Sequence, residues 1–374
     1  MHLLTRLTLT LAIPFCVTAC DVAPNSLANA PRQATQPLVS APAYAGPLIE
    51  LHGSPADIGS RHAQALSVQI NALEKNYLDR FIGTGARRFI ALTTAKLFKP
   101  YFLPEHLAEV DALATESQME EPEAVLAQCF LDLSVKAACS TITLPASAAP
   151  DHVGRFARNL DFPSLNIADK YSTVFVYHPT GRYAFVSIGW PGMIGVLSGM
   201  NEHGLCLANM EVPRSTRLPG AMPYTLLYRE ALERCKTVNE AVELITKTPR
   251  QSANNLMLMD AAGDRAVLEI TPEGVAIRRA GPSQPLISTN HQRGQDCDTP
   301  GRCWRYDDLH QDGTEEFGHI GVNELETMLA EVSPGKATLQ SMIFEPATRT
   351  IYLSTGASAA KGPFTVIKAG QYFR

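Results

Sequence analysis

The chain has 374 residues, with 32 basic and 37 acidic side chains and a formal charge of −5. That balance excludes a nucleic-acid protein built on basic patches, and 45% hydrophobic with 18% charged residues excludes wholesale disorder. Eight cysteines are too few for a disulfide scaffold, and at about 150 residues per domain the length predicts two to three domains.

Residues 1–20 read as a targeting segment. Leu3 to Phe15 is mostly apolar, with Arg6 as its formal charge, and is too short to span a bilayer. It ends Val17-Thr18-Ala19-Cys20. Small residues before a cysteine resemble a bacterial lipobox, in which Cys20 receives lipid and becomes the mature N-terminus. Asp21 after it resembles an inner-membrane retention signal. The expectation is an exported protein, lipid-anchored to a bacterial membrane and facing the periplasm or the exterior. A plain signal peptide with an incidental Cys20 is the alternative. Residues 21–47 are rich in Ala, Pro, Ser, Asn and Gln and form a flexible spacer. No later run reaches about 18 apolar residues.

Ser54-Pro55-Ala56-Asp57 predicts an N-cap, Pro at N1 and an acid at N3, starting a helix to about Arg80. Further helices are predicted over about 104–116 and 122–133. The texture changes at Cys139. Strands are predicted over 153–160, 172–178 and 183–188, with a turn at Thr180-Gly181, and over 205–212. A helix over 223–235 restarts at the capping box Thr237 to Glu240 and runs to about Thr246. Strands follow over 255–259, 266–270, 275–279 and 286–289, then a helix capped by Asn323, then a hairpin over 338–345 and 350–354. Two strand groups among helices imply a layered α+β fold.

Gly-x-Ser-x-Gly, His-Glu-x-x-His and Walker motifs are absent. Gly189, Gly192 and Gly195 read as a loop. Cys139 sits where helical texture gives way to strand texture; by position alone a buried structural thiol is the simpler reading. However, Arg158-Asn159-Leu160-Asp161 lies on the next strand. A hairpin would bring Arg158 and Asp161 beside Cys139, and a guanidinium favours thiolate.

Cys139, Arg158 to Asp161, Gly199-Met200-Asn201-Glu202-His203-Gly204-Leu205 and Thr289-Asn290 resemble the N-terminal-nucleophile (Ntn) cysteine hydrolases. The nearest branch is the autoproteolytic acyltransferases and hydrolases typified by isopenicillin-N acyltransferase. Choloylglycine hydrolases, penicillin V acylases and acid ceramidases are more distant. Gly53 to His62 resembles that branch's opening helix. The resemblance implies a four-layer αββα sandwich, with a helical propeptide over 48–138 and a catalytic domain over 139–374. It implies cleavage between Ala138 and Cys139 to a processed α/β heterodimer, and attack by Cys139 on a small-molecule N-acyl amide or acyl donor. No cofactor, metal or nucleic acid is implied.

By resemblance, Arg158 lies near the thiol and Asp161 holds the Cys139 amine. Asn290 donates to the oxyanion, and Arg302 supports the region, with Arg305 as its rival. Glu211 falls at a second oxyanion position, with Asn209 as the alternative. The freed α-amine, with a reference pKa near that of the thiol, can act as general base. Two other readings remain: a papain-like protease pairing Cys139 with a distant histidine such as His291, and a lipid-anchored binding protein that kept the fold alone. A Cys297–Cys303 disulfide stays open, and His291, Cys297, Cys303 and His310 match no zinc motif.

Overall fold

The computed structural model describes residues 42–133, 138–213, 219–294 and 303–374. Residues 1–20 with Cys20, the spacer up to residue 41, Cys297 and Arg302 lie outside the described residues.

Ahead of the helices expected from Ser54 onward, the segment read as a helical propeptide opens with a strand, β1 (Leu48–Gly53). Then α1 (Pro55–Ala72) starts on a full capping box: the Ser54 hydroxyl accepts from the Asp57 amide, and the Asp57 carboxylate accepts from the Ser54 amide. It continues through a π turn over Leu73–Leu78 into α2 (Asp79–Ile82). Next come α3 (Ala86–Lys96), which the sequence pattern did not mark, α4 (Pro104–Ser117) and α5 (Glu121–Leu133). Gly59 lets α1 and α4 touch, since a Cβ there would lie 2.1 Å from the Glu109 carbonyl oxygen.

The remaining chain runs β2 (Ala138–Leu144), β3 (Arg155–Asp161), β4 (Thr173–Pro179), β5 (Phe185–Gly189), β6 (Ser198–Asn201) and β7 (Cys206–Glu211). Two helices follow, α6 (Tyr224–Arg234) and α7 (Val238–Lys247), the latter capped by Thr237. Then come β8 (Asn254–Met259), β9 (Arg265–Ile270), β10 (Val275–Arg278) and β11 (Leu286–Ser288). The end is α8 (Trp304–Glu315), α9 (Val322–Glu331), β12 (Thr338–Glu345), β13 (Thr350–Thr355) and β14 (Thr365–Lys368). The N-cap of α9 is Gly321 rather than Asn323, because the Glu324 carboxylate reaches back to the Gly321 amide at 2.9 Å.

Two sheets form. One orders its strands β1-β4-β5-β6-β7-β8-β9-β10, the other β11-β2-β3-β12-β13-β14. Among the described residues every pairing between these strands is antiparallel except β1 with β4. Alternation along β2 and β3 splits their side chains. Ile142, Leu144 and Ala157 join Leu309 of α8 and Leu325 and Leu329 of α9 in one core. Cys139, Phe156 and Leu160 join the larger core that also holds the eight-stranded sheet and the front helices. The α+β architecture is therefore helix, sheet, sheet, helix. Among the described residues no helix is long and apolar enough to cross a membrane.

Candidate active site

The β2–β3 register places the site. Thr141 pairs with Arg158 and Cys139 with Leu160, so Cys139 and Arg158 are diagonal neighbours on one face. A long side chain spans that diagonal. Arg158 Nη2 lies 3.3 Å from Cys139 Sγ, and its Nη1 donates to the Leu197 carbonyl at 2.6 Å and to the Ser198 hydroxyl. Both residues are buried. Burial pushes the Cys139 thiol up, and the Arg158 guanidinium opposes that shift.

The outer side of Cys139 is completed by side chains. The strand β11 pairs with β2 only from Leu286 to Ser288, opposite Thr143 to Thr141. Past Ser288 there is no ladder for Cys139. Its amide donates instead to Asn290 Oδ1 at 2.7 Å, and its carbonyl accepts from Arg305 Nη1 at 2.8 Å. Arg305 Nη2 also donates to Asn290 Oδ1 at 3.0 Å, and Arg305 Nη1 lies 3.3 Å from Asp161 Oδ2. Asp161 sits on the α8 face of β3, where its Oδ1 accepts from Thr338 at 2.6 Å. Burial raises its carboxyl to about 6, against the pull of Arg305.

Of the residues expected at the site, Cys139, Arg158, Asp161 and Asn290 come together. Arg305, at the start of α8, lies with them; Arg302 is outside the described residues. Asp161 meets Arg305 and Thr338, whereas the nitrogen of Cys139 meets Asn290. Asn290 Nδ2 donates to the Glu211 carbonyl at 2.7 Å, and Glu211 Oε1 accepts from Tyr224 at 3.2 Å. Asn209, two residues back on β7, is buried, and its Oδ1 has no partner among the described residues. Its amide donates to the Leu197 carbonyl, the oxygen that Arg158 also binds.

An apolar cavity of about 70 Å³ adjoins this group, lined by Ile70, Tyr77, Phe130, Phe162, Trp190 and Leu197 among others. Its walls come from both sides of Cys139 in the chain. Phe162 directly follows Asp161, and Leu197 carries the Arg158 contact. The loop forming one wall is clamped by side chains that sequence reasoning did not single out. His62 Nε2 accepts from the Gly192 amide at 3.0 Å. Gln128 donates to the Gly192 carbonyl at 2.8 Å and accepts from the Ile194 amide at 2.9 Å. Burial, helped by Arg229, lowers His62 to about 3, which fits its acceptor role. The front helices are tied down further by Arg229, which binds Glu109 through both terminal nitrogens at 2.8 and 2.7 Å.

A family model described as acyl-coenzyme A:6-aminopenicillanic acid acyl-transferase matches residues 148–360, more than half of the chain. The chain belongs to this family, within the Ntn hydrolases. The matched stretch includes Arg158, Asp161, Glu211, Asn290 and Arg305, and begins after Cys139. Two Dictyostelium discoideum proteins are similar. Protein dcd1A is 27% identical over 238 residues, covering 54% of this chain and 53% of that protein. Protein dcd1B is 24% identical over 261 residues, covering 62% and 51%. The chain spans about half the length of these curated relatives. Among solved structures, a Caenorhabditis elegans N-acylethanolamine-hydrolyzing acid amidase ortholog overlaps with a TM-score of 0.47 at 16% identity, covering 56% of this chain and 93% of that one. A mutant conjugated bile acid hydrolase from Clostridium perfringens gives 0.41 at 15%, covering 61% and 92%. Penicillin V acylase from Agrobacterium tumefaciens gives 0.33 at 16%, covering 59% and 75%.

Proposed function

We propose that this family member is an autoprocessing N-terminal cysteine amidohydrolase or acyltransferase acting on N-acyl amides. The observation that carries the reading is the set of contacts on Cys139: a guanidinium on its sulfur, an asparagine oxygen on its nitrogen and a second guanidinium on its carbonyl.

In processing, Cys139 Sγ attacks the Ala138 carbonyl carbon. The C–N bond to Cys139 breaks, an Ala138 thioester forms on sulfur, and the nitrogen takes the thiol proton. Water then hydrolyses the thioester, leaving a carboxylate on Ala138 and a free thiol on Cys139. The new α-amine, already held by Asn290, has a reference pKa of about 7.7–8.0. In turnover it takes the thiol proton as sulfur attacks the substrate carbonyl. The leaving amine departs with that proton, and water or an acceptor amine releases the acyl group. Arg158 stabilises the thiolate, and Arg305 with Asp161 fixes the Cys139 backbone. Asn209 or the second Nδ2 hydrogen of Asn290 supplies the oxyanion contact. The apolar cavity suits an apolar acyl group.

A papain-like reading needs an imidazole at the thiol, and Cys139 Sγ meets a guanidinium instead. Export and lipid attachment at Cys20 belong to the same proposal. Intact-mass spectrometry under denaturing conditions tests the processing step: two fragments meeting at Ala138 and Cys139 are expected, and a fully active uncut chain would sink the idea. A panel of N-acyl amides with graded acyl chains then tests the substrate class on the processed enzyme.

A further inference from the structure

Away from the active site, the outer edge of the eight-stranded sheet gathers three metal-ligating side chains. The strands β1 and β4 run parallel, with His52 directly opposite His178, and Glu50 opposite Val176. Glu50 and His52 are two residues apart and so share a face. The two imidazoles stack with centroids 4.1 Å apart and planes within 2°. Glu50 Oε2 lies 3.7 Å from His52 Nε2 and 3.9 Å from His178 Nε2. Both distances exceed a hydrogen bond, so the three groups face one another without bonding. All three donor atoms fall within 4.8 Å of one another. His178 Nε2 is shut off from solvent and has no hydrogen-bond partner among the described residues, an uncompensated cost.

We propose that Glu50, His52 and His178 bind a divalent transition-metal ion of the zinc class. Two imidazoles and one carboxylate are a common zinc donor set, with water free to take the fourth position. Donors at about 2.0–2.2 Å around a tetrahedral ion sit about 3.3 Å from one another. For the lone pairs to converge, the His52 ring must turn out of its stack on His178 and Glu50 must swing in, and with side chains 52% and 45% exposed both are free to do so. The ion also gives the buried nitrogen of His178 a partner. Copper and nickel ions would compete for the same donors.

The ion would join β1, ahead of Cys139, to β4, after it. Its value as a staple between two cut pieces rests on the proposed processing, but ion binding does not. The test is zinc titration by calorimetry at pH 7.5 on chelator-treated, tag-free full-length protein carrying Cys139→Ala, which takes the reactive thiol out of play. A binding event of micromolar or tighter affinity is expected, with a zinc-dependent rise in Tm. In the same background, the double variant His52→Ala/His178→Ala should lose this event or weaken it at least tenfold, and lose the rise in Tm. Unchanged stoichiometry and affinity in the double variant, or no binding by the parent at about 100 µM zinc, would overturn the proposal.

Discussion

The amide of Cys139 donates to Asn290 Oδ1 at 2.7 Å, at the place where β11 would have continued the ladder beyond Ser288. A side chain thus completes a sheet edge, and it holds the one backbone nitrogen that the proposed cleavage would release. Asn290→Ala removes that acceptor. We expect the cut to slow by about 10²-fold or more, a loss typical of one preorganised polar contact, with Asn290→Asp partly restoring it. Cleavage time courses on denaturing gels give the rate, and a change below threefold would refute the role.

Cys139→Ala should leave one uncut chain with no amidase activity. Arg158→Gln should leave a foldable chain whose thiol titrates higher still, because burial already pushes the thiol up and Arg158 is the group opposing it. The pH midpoint of iodoacetamide labelling at Cys139 should rise by about one unit or more. Circular dichroism on the same sample separates this from unfolding.

Asp132, at the end of α5, is buried and accepts from the Ser252 hydroxyl at 2.6 Å. Burial raises its carboxyl to about 7. A folded-state value above the unfolded one of about 3.9 means that the native state binds the extra proton. Its contribution is fully present below about pH 4 and is lost as pH rises through 7. Asp161, raised to about 6, acts in the lower part of the same window. Asp132→Asn should therefore flatten the fall in stability between about pH 6 and 7. Urea unfolding at both pH values in wild type and variant measures this, and parallel slopes would contradict it.

His62→Ala and Gln128→Ala loosen the loop wall of the apolar cavity without touching Cys139. Each leaves buried backbone groups unpaired, costing about 1–3 kcal/mol of stability. For a long-chain amide we expect KM to rise severalfold while kcat changes less than threefold. An equal fall in kcat for short and long acyl chains would argue that the cavity does not hold the acyl group.

Glu109→Gln takes the charge partner from Arg229, a buried guanidinium that also binds Glu233 at 2.7 Å. Breaking such a pair costs about 3–5 kcal/mol. The two pieces of the proposed cut should then separate at lower denaturant than in wild type, as read by size-exclusion chromatography. Coelution at every concentration would count against this anchor.

The hairpin that carries Cys139, Arg158 and Asp161 was legible because strand alternation and the pairing of chain neighbours determine which residues meet, even across the ten-residue connection from Leu144 to Arg155. Most strands after Cys139 were legible for the same reason. The place of Arg305 was not, since it depends on where α8 begins. That helix was itself hidden: it carries Gly313, which lies against the sheet, where a Cβ would be 3.0 Å from Ile142. His62 and Gln128 were missed because a buried polar residue on a helix leaves no periodic signal. The edge strand β1 was read as part of the helical segment, since its partner β4 lies more than a hundred residues on.

The parallel strand β1 has a consequence for anyone producing the catalytic piece by itself. A chain begun at Cys139 would lack β1 and leave β4 as the bare rim of an eight-stranded sheet. Its unpaired amides and carbonyls would then offer a template for other chains, beside an apolar cavity with half its wall missing. Such a product should precipitate or pair edge to edge, and the segment ahead of Cys139 would then serve the remainder as a resident chaperone.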